Sequence, residues 1–593
     1  MKFKLLREPG ESGLSLAPGF SRVMKTGRWI SRFNGLPATP KPLKRLENSA
    51  TVFTWLKPGA NERTGEAFGP PVQHGLVLSP RDQTHLVVGR LALRAVAFVL
   101  ALAAFLPAAF AQLAPPPAPA LLSPASGIVP AAALAAPLAG VVRSQFTGVD
   151  PAVIQQLQSK QITQVRLPMF AKGERTLVFT GREDYGPGRF ALTGTLDGIS
   201  PSRAVLAVWD GAVTLDAQGH GENTVRLRFA GNGGYSLEEM NPAAQGGCGV
   251  DDFAPAPLGP PAAAPAAAGN EAAGGFMPAA GDGNLWVDVL ACYTPQARDA
   301  AGGHAAIQSA IASRIATANN VHASSATQMR LRLMFIFPVS DNESGYIDTD
   351  RIRLRTAADG FFDNALATAD DLGADLVHLF VNEQGTSDGQ TSIIGLADRP
   401  GRFGVTKWDA PLLTFAHETG HNLGCRHQIA NDGGGTIEHA HEATYDFSLI
   451  ETARAQTVMW ATLGSTMVES FSDPNNTITF THLILPNSPP IPLGVAGSAN
   501  NAQYIRDNRT TTVGHKEPRF YVSPGGDGQA TVQSPANNLT SVYNAWYFNA
   551  WGQNAANPVV VRVAAGNIPA PARIATRSRL EKWGGGGAAR ISQ

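Results

Sequence analysis

Short alternating runs of apolar and polar residues fill residues 141–250 and predict a small β-rich domain. The clearest runs are residues 165–170, 176–180, 190–196, 204–216 and 224–229. Asp210-Gly211 interrupts the fourth run and predicts a hairpin turn. Ala- and Pro-rich stretches flank this region at 112–140 and 253–283. We expect both to be linkers, and the second to be exposed and open to proteolysis.

From Leu285 onward the pattern changes to alternating strands and helices. Ile307, Ile311 and Ile315 repeat at four-residue spacing, which predicts the buried stripe of a helix. Residues 349–372 predict one long helical stretch and residues 500–509 a terminal helix. Strands are predicted at 286–293, 329–337, 376–381, 393–397 and 404–407. This alternation predicts an α/β layer with a mixed sheet.

The last helix of that series carries the sequence His417-Glu-Thr-Gly-His421-Asn-Leu-Gly-Cys-Arg-His427. Two histidines four residues apart lie on one helical face, so both imidazoles can bind one ion. Gly424 can adopt a left-handed conformation that ends the helix and returns the chain, which lets His427 supply a third nitrogen. Glu418 projects beside the same face and can reach a metal-bound water. The pattern predicts one catalytic Zn²⁺, held by His417, His421 and His427, with Glu418 as the general base.

This extended motif resembles that of the metzincin zinc endopeptidases. Met459 and the segment Phe471-Ser-Asp-Pro474 follow it as in bacterial reprolysin-like (peptidyl-Asp metalloendopeptidase-like) metalloproteases. The resemblance covers residues 284–516. It implies an α/β (α+β zincin-like) catalytic domain whose mixed twisted sheet, active-site helix and smaller lower subdomain enclose a substrate cleft. Gln428 departs from the Asp that many relatives have there, so the support of the adjoining loop is expected to differ.

The same resemblance assigns roles to further residues. Met459 becomes the Met-turn, a hydrophobic floor beneath the metal. An edge strand of this family pairs with extended substrate. Its candidate residues here are Ile393, Ile394, Gly395 and Leu396, with a plain edge strand as the alternative. Phe471 and Ser472 are expected to wall the pocket for the residue after the scissile bond.

Residues 90–111 have the pattern of a secretory signal peptide. Arg90 and Arg94 precede the apolar run 95–106, and Ala109-Phe-Ala111 is an A-x-A cleavage site. The run is too short for a comfortable membrane span. The sequence therefore predicts secretion, without stable membrane association once the signal is removed. Residues 1–89 show no sustained periodicity, so we expect translation to begin near residue 87. A genuine extension ahead of a membrane anchor is the alternative.

Residues 112–283 occupy the place of a pro-region. Cys248 lies between glycines just before the second linker, and its thiolate could take the open position on zinc. That arrangement predicts a latent enzyme with a cysteine switch. A disulfide to Cys292 or Cys425, or a thiol without a role, are the alternatives, since the chain has 3 cysteines.

The overall composition excludes some partners. The 47 basic and 47 acidic residues balance, so nothing favours nucleic acid or an anionic membrane surface. Neither a calcium site nor an oligomeric state follows from the sequence, although Ca²⁺ is compatible with it. His439 and His441 are expected to be solvated on a surface loop. Residues 517–593 form an extension of unknown role with an aromatic cluster, and its last thirty residues are expected to be unstructured.

These patterns together predict a secreted zinc endopeptidase that acts on proteins or peptides. A secreted binding or adhesion protein on a metzincin scaffold that has lost activity is the main alternative. Zinc-dependent hydrolysis of a non-peptide substrate is a second one.

Overall fold

The computed structural model of this protein describes about three fifths of the chain in detail. The described residues are 117–125, 138–248, 284–432, 437–447, 451–462, 466–481, 486–509 and 519–524, with the strands 559–564, 566–569, 578–583 and 589–592. All of them belong to one compact unit, Ala114–Gln593. The predicted signal peptide, the linker 253–283 and the aromatic cluster around Trp546 lie outside the described residues.

The β-rich region forms a nine-stranded sheet, which we call the antiparallel sheet. Its spatial order is β1-β2-β9-β8-β7-β6-β5-β4-β3. One helix, α1 (Pro151–Gln158), follows β2 and starts at the side-chain cap of Asp150. The strands are β1 (Leu122–Ser123), β2 (Val141–Val149), β3 (Gln164–Pro168), β4 (Glu174–Asp184), β5 (Arg189–Leu196), β6 (Ser202–Trp209), β7 (Ala212–Gly219), β8 (Thr224–Gly231) and β9 (Gly234–Met240).

Local turn chemistry explains how this sheet folds back on itself. Asp210 and Gly211 both have positive φ, 47° and 87°, and join β6 to β7 as the predicted tight hairpin. β1 lies inside the stretch predicted as a linker, where Leu122 pairs with Val149. The predicted β-rich architecture is therefore confirmed, and the sheet is larger than the alternating runs indicated.

The second half of the molecule contains a six-stranded sheet, which we call the mixed sheet. Its order is β10-β14-β15-β13-β11-β12. The β14–β15 pair is antiparallel and the other neighbouring pairs are parallel, so β10 and β14 run opposite to the other four strands. The strands are β10 (Gly247–Cys248), β11 (Leu285–Tyr293), β12 (Met329–Pro338), β13 (Leu376–Val381), β14 (Ile393–Ala397) and β15 (Phe403–Lys407). Helices in this half are α2 (Pro295–Ala301), α3 (His304–Ser324), α4 (Ile347–Arg355), α5 (Asp363–Leu372), α6 (Thr414–Asn422), α7 (Ile429–Asp432) and α8 (Asn501–Asn508).

Helix α3 lies between the two sheets and is buried around most of its circumference. Ile307, Ile311 and Ile315 are at most 1% exposed, as their spacing predicted. On the opposite side Ser309 Oγ donates to the carbonyl of Ala207 in β6, at 2.9 Å. Trp209 belongs to the same hydrophobic core as the mixed sheet. One core thus joins both sheets through α3.

Two predictions about secondary structure were wrong. Residues 349–372 form two helices, α4 and α5, because Ala358 and Phe362 between them have positive φ, which no helix continues through. The last thirty residues are not unstructured, since strands β22 (Gly566–Pro569), β23 (Ser578–Trp583) and β24 (Ala589–Ser592) lie there. β23 pairs in parallel with β21 (Val559–Ala564), which in turn pairs with β20 (Arg519–Val522), and such distant pairing leaves no local periodicity to detect.

The remaining strands are short. A hairpin of β16 (Glu442–Phe447) and β17 (Glu451–Gln456) follows α7, and β18 (Thr477–Ile478) pairs with β19 (Ile491–Pro492). Among the described residues, no helix combines the length and apolar character needed to cross a membrane.

Candidate metal centre

Helix α6 presents the first two histidines of the motif from a buried position. His417 and His421 are at most 1% exposed. Phe415, on the same helix, stacks on Phe380 of β13 with ring centroids 5.8 Å apart, which fixes the helix against the mixed sheet. Gly420 lies against Met459, because a Cβ added at Gly420 would come within 2.3 Å of the Met459 sulfur. The helix therefore rests directly on Met459, with no room for a larger residue at 420.

Gly424 turns the chain after α6 as predicted. Its φ is +91°, and the backbone N–H of Cys425 donates to the carbonyl of Gly420, at 2.9 Å. A side chain there would also meet the Tyr504 ring of α8 at 2.8 Å. The turn carries His427 back to α6, where it is fully buried.

The three imidazoles converge through their Nε2 atoms. His427 Nε2 lies 3.1 Å from His417 Nε2 and 3.1 Å from His421 Nε2. The outward Nδ1 atom of His417 donates to the Val458 carbonyl at 2.7 Å, and that of His421 donates to the Cys425 carbonyl at 2.9 Å. Those bonds fix the tautomer in which Nε2 keeps its lone pair for a metal.

Burial keeps these imidazoles neutral. It lowers the pKa of His417 to about 3, assisted by the neighbouring His427. It lowers the pKa of His427 to about 4, against the opposing effect of Asp432, and that of His421 well below its usual value. Neutral imidazole is the form that binds a metal ion, so all three are ready as ligands at neutral pH.

Cys248 completes the group. Its Sγ lies 3.5 Å from His421 Nε2, and the ligand atoms of Cys248, His417, His421 and His427 lie within 4.8 Å of one another. A tetrahedral zinc with ordinary bond lengths separates two nitrogens by about 3.3 Å, and a nitrogen from a sulfur by about 3.6 Å. The observed 3.1 and 3.5 Å match that geometry, so the residues fit zinc. All three cysteines of the chain are thiols, which leaves neither predicted disulfide.

Cys248 reaches the centre because β10 pairs with the edge strand β14. Gly247 is in register with Ile393 and Cys248 with Gly395, in parallel orientation. The N–H of Gly247 donates to the Ser392 carbonyl at 2.9 Å. Gly246, at φ +120°, approaches so closely that a Cβ there would lie 2.2 Å from the Ser392 carbonyl oxygen. The glycines beside Cys248 thus permit a backbone approach that other residues would prevent.

Glu418 faces the same strand. It is fully buried, and a Cβ added at Gly395 would come within 2.3 Å of its Oε1. Gly395 is therefore the point where the strand passes directly over the carboxylate. The other strand residues, Ile393, Ile394 and Leu396, are also buried.

Phe471 and Ser472 lie beneath the centre. Both are fully buried, and the Phe471 ring contacts His322 with centroids 5.2 Å apart. Ser472 Oγ donates to the carbonyl of His439 at 2.6 Å and receives the backbone N–H of Asn501 in α8. These contacts support the loop that follows His427, and the predicted role of both residues in a substrate pocket stays a prediction.

The expectation that His439 is solvated was wrong. His439 is 1% exposed and its Nδ1 donates to the His427 carbonyl at 2.9 Å. No spacing rule signals this contact, because His439 lies twelve residues after His427 and beyond α7. His441 is partly buried and donates its backbone N–H to Thr457.

Comparison with known proteins identifies the domain that holds this centre. Residues 284–472 match the model of Metallo-peptidase family M12, of the reprolysin type. A protein of Stenotrophomonas maltophilia named peptidyl-Asp metalloendopeptidase is 29% identical over 234 residues, covering 38% of this chain and 51% of the relative. One of the same name from Pseudomonas aeruginosa is 32% identical over 183 residues, covering 27% of this chain and 29% of the relative. Residues 284–472 therefore match a metallopeptidase domain of the reprolysin type and are similar to bacterial metalloendopeptidases.

The matches are partial. The chain spans about half the length of the Stenotrophomonas relative. Among solved structures, an archaemetzincin from Methanopyrus kandleri aligns at 17% identity over 24% of this chain and 76% of that chain, with a TM-score of 0.15. A chaperone–substrate complex aligns at 18% identity over 40% of this chain and 39% of that chain, with a TM-score of 0.30. Likenesses at that level carry no argument about this protein.

Proposed function

We propose that this protein is a secreted zinc-dependent endopeptidase made as a latent precursor. The observation that carries this proposal is the convergence of three buried Nε2 atoms at a point flanked by Glu418 and the edge strand β14. The names of the relatives support peptide or protein substrates. Residues 284–516 are the catalytic domain in this proposal, and residues 112–283 are its pro-region.

His417, His421 and His427 hold the zinc through Nε2. When bound there, zinc lowers the pKa of a water molecule and polarises the scissile carbonyl. Glu418 takes the proton from the attacking water and delivers it to the leaving amine. Met459 fills the space beneath α6 and binds no metal.

Extended substrate adds to β14 as a further strand. Strand addition supplies main-chain hydrogen bonds from one edge, and β14 lies over Glu418 where the scissile bond must be placed. Gly247 of β10 already lies along that edge, where its backbone N–H donates a hydrogen bond to the carbonyl of Ser392. The pro-region thus occupies the position of a substrate strand.

Cys248 keeps the precursor latent. Its sulfur lies beside the three Nε2 atoms that would hold zinc, so a bound thiolate would exclude the catalytic water from the metal. The register of Cys248 with Gly395 places that sulfur by backbone pairing. Export through the signal sequence at 90–111 then separates synthesis from activity.

The rival function is a binding protein on the same scaffold. Casein hydrolysis by the processed protein separates the two, with zinc removal by a chelator and the Glu418→Gln variant as paired arms. General bases contribute about 10²–10⁴-fold to the rate, so Glu418→Gln is expected to lose that much. Glu442→Gln, a carboxyl of the β16–β17 hairpin bonded to Arg454, is the matched control and keeps full activity. Zinc-loaded, processed protein without hydrolysis would favour the rival.

A further inference from the structure

The three histidines are not held in the same way. Backbone carbonyls accept the Nδ1 protons of His417 and His421, at 2.7 and 2.9 Å. Nδ1 of His427 is equally buried but has no hydrogen-bond partner among the described residues. Something else must set the tautomer and the orientation of the third ring.

Asp432 is the group that faces this nitrogen. Its Oδ2 lies 4.0 Å from His427 Nδ1 and accepts the backbone N–H of His427 at 3.1 Å. The Asp432 side chain is 2% exposed and forms an ion pair with Arg399. Helix α7, which ends at Asp432, turns the carboxylate back toward the ring five residues earlier.

Gln428, the residue directly after His427, is engaged elsewhere. Its side-chain oxygen accepts the backbone N–H of Ala461, two residues after Met459, at 3.0 Å. Gln428 therefore ties the loop to the segment that carries Met459. The side chain directly after His427 therefore bonds to the segment that follows Met459. The carboxylate that faces His427 belongs to Asp432 of α7.

We propose that Asp432 is a positioning residue for the third zinc ligand, a role that rests on the proposed zinc site. Its carboxylate keeps the proton of His427 on Nδ1, so that Nε2 faces the metal. Arg399 forms an ion pair with the carboxylate and holds it in the interior. The three imidazoles are thus oriented at their Nδ1 atoms by two backbone carbonyls and one carboxylate.

The test is zinc affinity, measured by chelator competition on the full-length chain. Groups that orient ligating histidines contribute about 10–100-fold to metal affinity, so Asp432→Asn is expected to weaken zinc binding by that factor. Imidazole ¹⁵N NMR of the zinc-free protein supplies a second readout. Asp432→Asn is expected to shift His427 toward the Nε2-protonated tautomer while His417 and His421 stay unchanged.

Arg399→Gln is the matched control, since it breaks the same ion pair and leaves the carboxylate beside His427. It is expected to lose clearly less zinc affinity than Asp432→Asn. Equal losses in the two variants, or unchanged affinity and tautomer in Asp432→Asn, would overturn the proposal. If Asp432→Asn does not fold, Asp432→Ala replaces it, with a loss of about 10–100-fold expected and no loss overturning the idea.

Failure of the zinc site itself gives a different result. In that case the parent chain binds no zinc, and His427→Ala changes nothing. The role of Asp432 alone fails when the parent binds zinc, His427→Ala abolishes binding and Asp432→Asn binds like the parent.

Discussion

The antiparallel sheet and the strand β10 belong to the same stretch of chain, yet they contact the metallopeptidase domain in different ways. The sheet covers α3 with a broad face whose core includes Trp209. Strand β10 has two residues and meets the edge of β14 at the metal centre. The broad contact stabilises both halves of the molecule, whereas in the proposed function the narrow one controls access to the metal centre. Stability and latency should therefore respond to different substitutions.

The broad contact includes buried charge. Arg226 of β8 forms an ion pair with Asp216, with both side chains at most 5% exposed. Its guanidinium also donates to the carbonyl of Asp409 at 2.6 Å, just ahead of α6. Arg226→Met leaves Asp216 buried without its partner, which costs about 3–5 kcal/mol. Chemical unfolding of the full chain measures this effect.

Two variants sharpen that first prediction. Replacing both partners, Arg226→Met with Asp216→Leu, is expected to restore most of the stability because neither charge of the pair is left buried without its partner. Arg189→Met breaks the partly exposed pair with Asp210 and is expected to cost less than about 1 kcal/mol. Equal losses for Arg189→Met and Arg226→Met would contradict the role given to the broad contact.

The narrow contact is tested by Cys248→Ser. If fewer than one zinc-loaded molecule in ten is open at any time, freeing the fourth position raises peptide hydrolysis by at least about tenfold. The unfolding free energy is expected to change little. Cys292→Ser, a fully buried thiol in β11, is the control and leaves latency intact. Cys248→Ser protein that stays as latent as its parent would refute the switch.

Gly246→Ala tests the backbone approach without altering the thiol. The new Cβ would lie 2.2 Å from the Ser392 carbonyl oxygen, at a φ of +120° that alanine disfavours. Strand β10 is expected to leave β14, which raises hydrolysis several-fold, though less than Cys248→Ser does. Gly233→Ala shares a positive φ but meets open space, and it is expected to leave hydrolysis unchanged.

The last prediction concerns the pH dependence of stability. Glu469 lies across from Arg203 of the antiparallel sheet, and burial raises its pKa to about 7, opposed by Arg203 and Asn320. A pKa raised from 4.5 means that the folded protein holds this proton more tightly than the unfolded chain. The contribution of this tighter proton binding to the free energy of unfolding is thus full below pH 4.5 and is lost as the pH rises through 7. Glu469→Gln is expected to flatten the stability profile between these values, and an unchanged slope would rule out this assignment.

The two contacts also differ in what the sequence could predict. Alternation and the Asp210-Gly211 turn located the hairpins of the antiparallel sheet, because neighbours in sequence pair there. The motif located the three histidines, because a helix and one glycine turn set their geometry. The pairing of β2 with β9 was not predicted, since the two strands are about ninety residues apart and their pattern is weak.

At the metal centre, the sequence predicted the ligands but not the groups that orient them. The carbonyls of Val458 and Cys425 that hold two imidazoles are backbone atoms, so no side chain signals them. Asp432 and His439 lie near His427 through tertiary contacts with Arg399 and Ser472, which no local pattern signals. Cys248 was predicted as a candidate from its glycines and its place in the chain, and its pairing with β14 required the fold.

X-ray absorption spectroscopy of the zinc-loaded full-length chain tests the central proposal most directly. The account predicts one zinc per chain with three nitrogen ligands at about 2.0–2.1 Å and one sulfur at about 2.3 Å. The sulfur is expected to be replaced by a light atom in Cys248→Ser. A parent chain that holds no zinc, or a zinc without sulfur in the parent, would contradict the account.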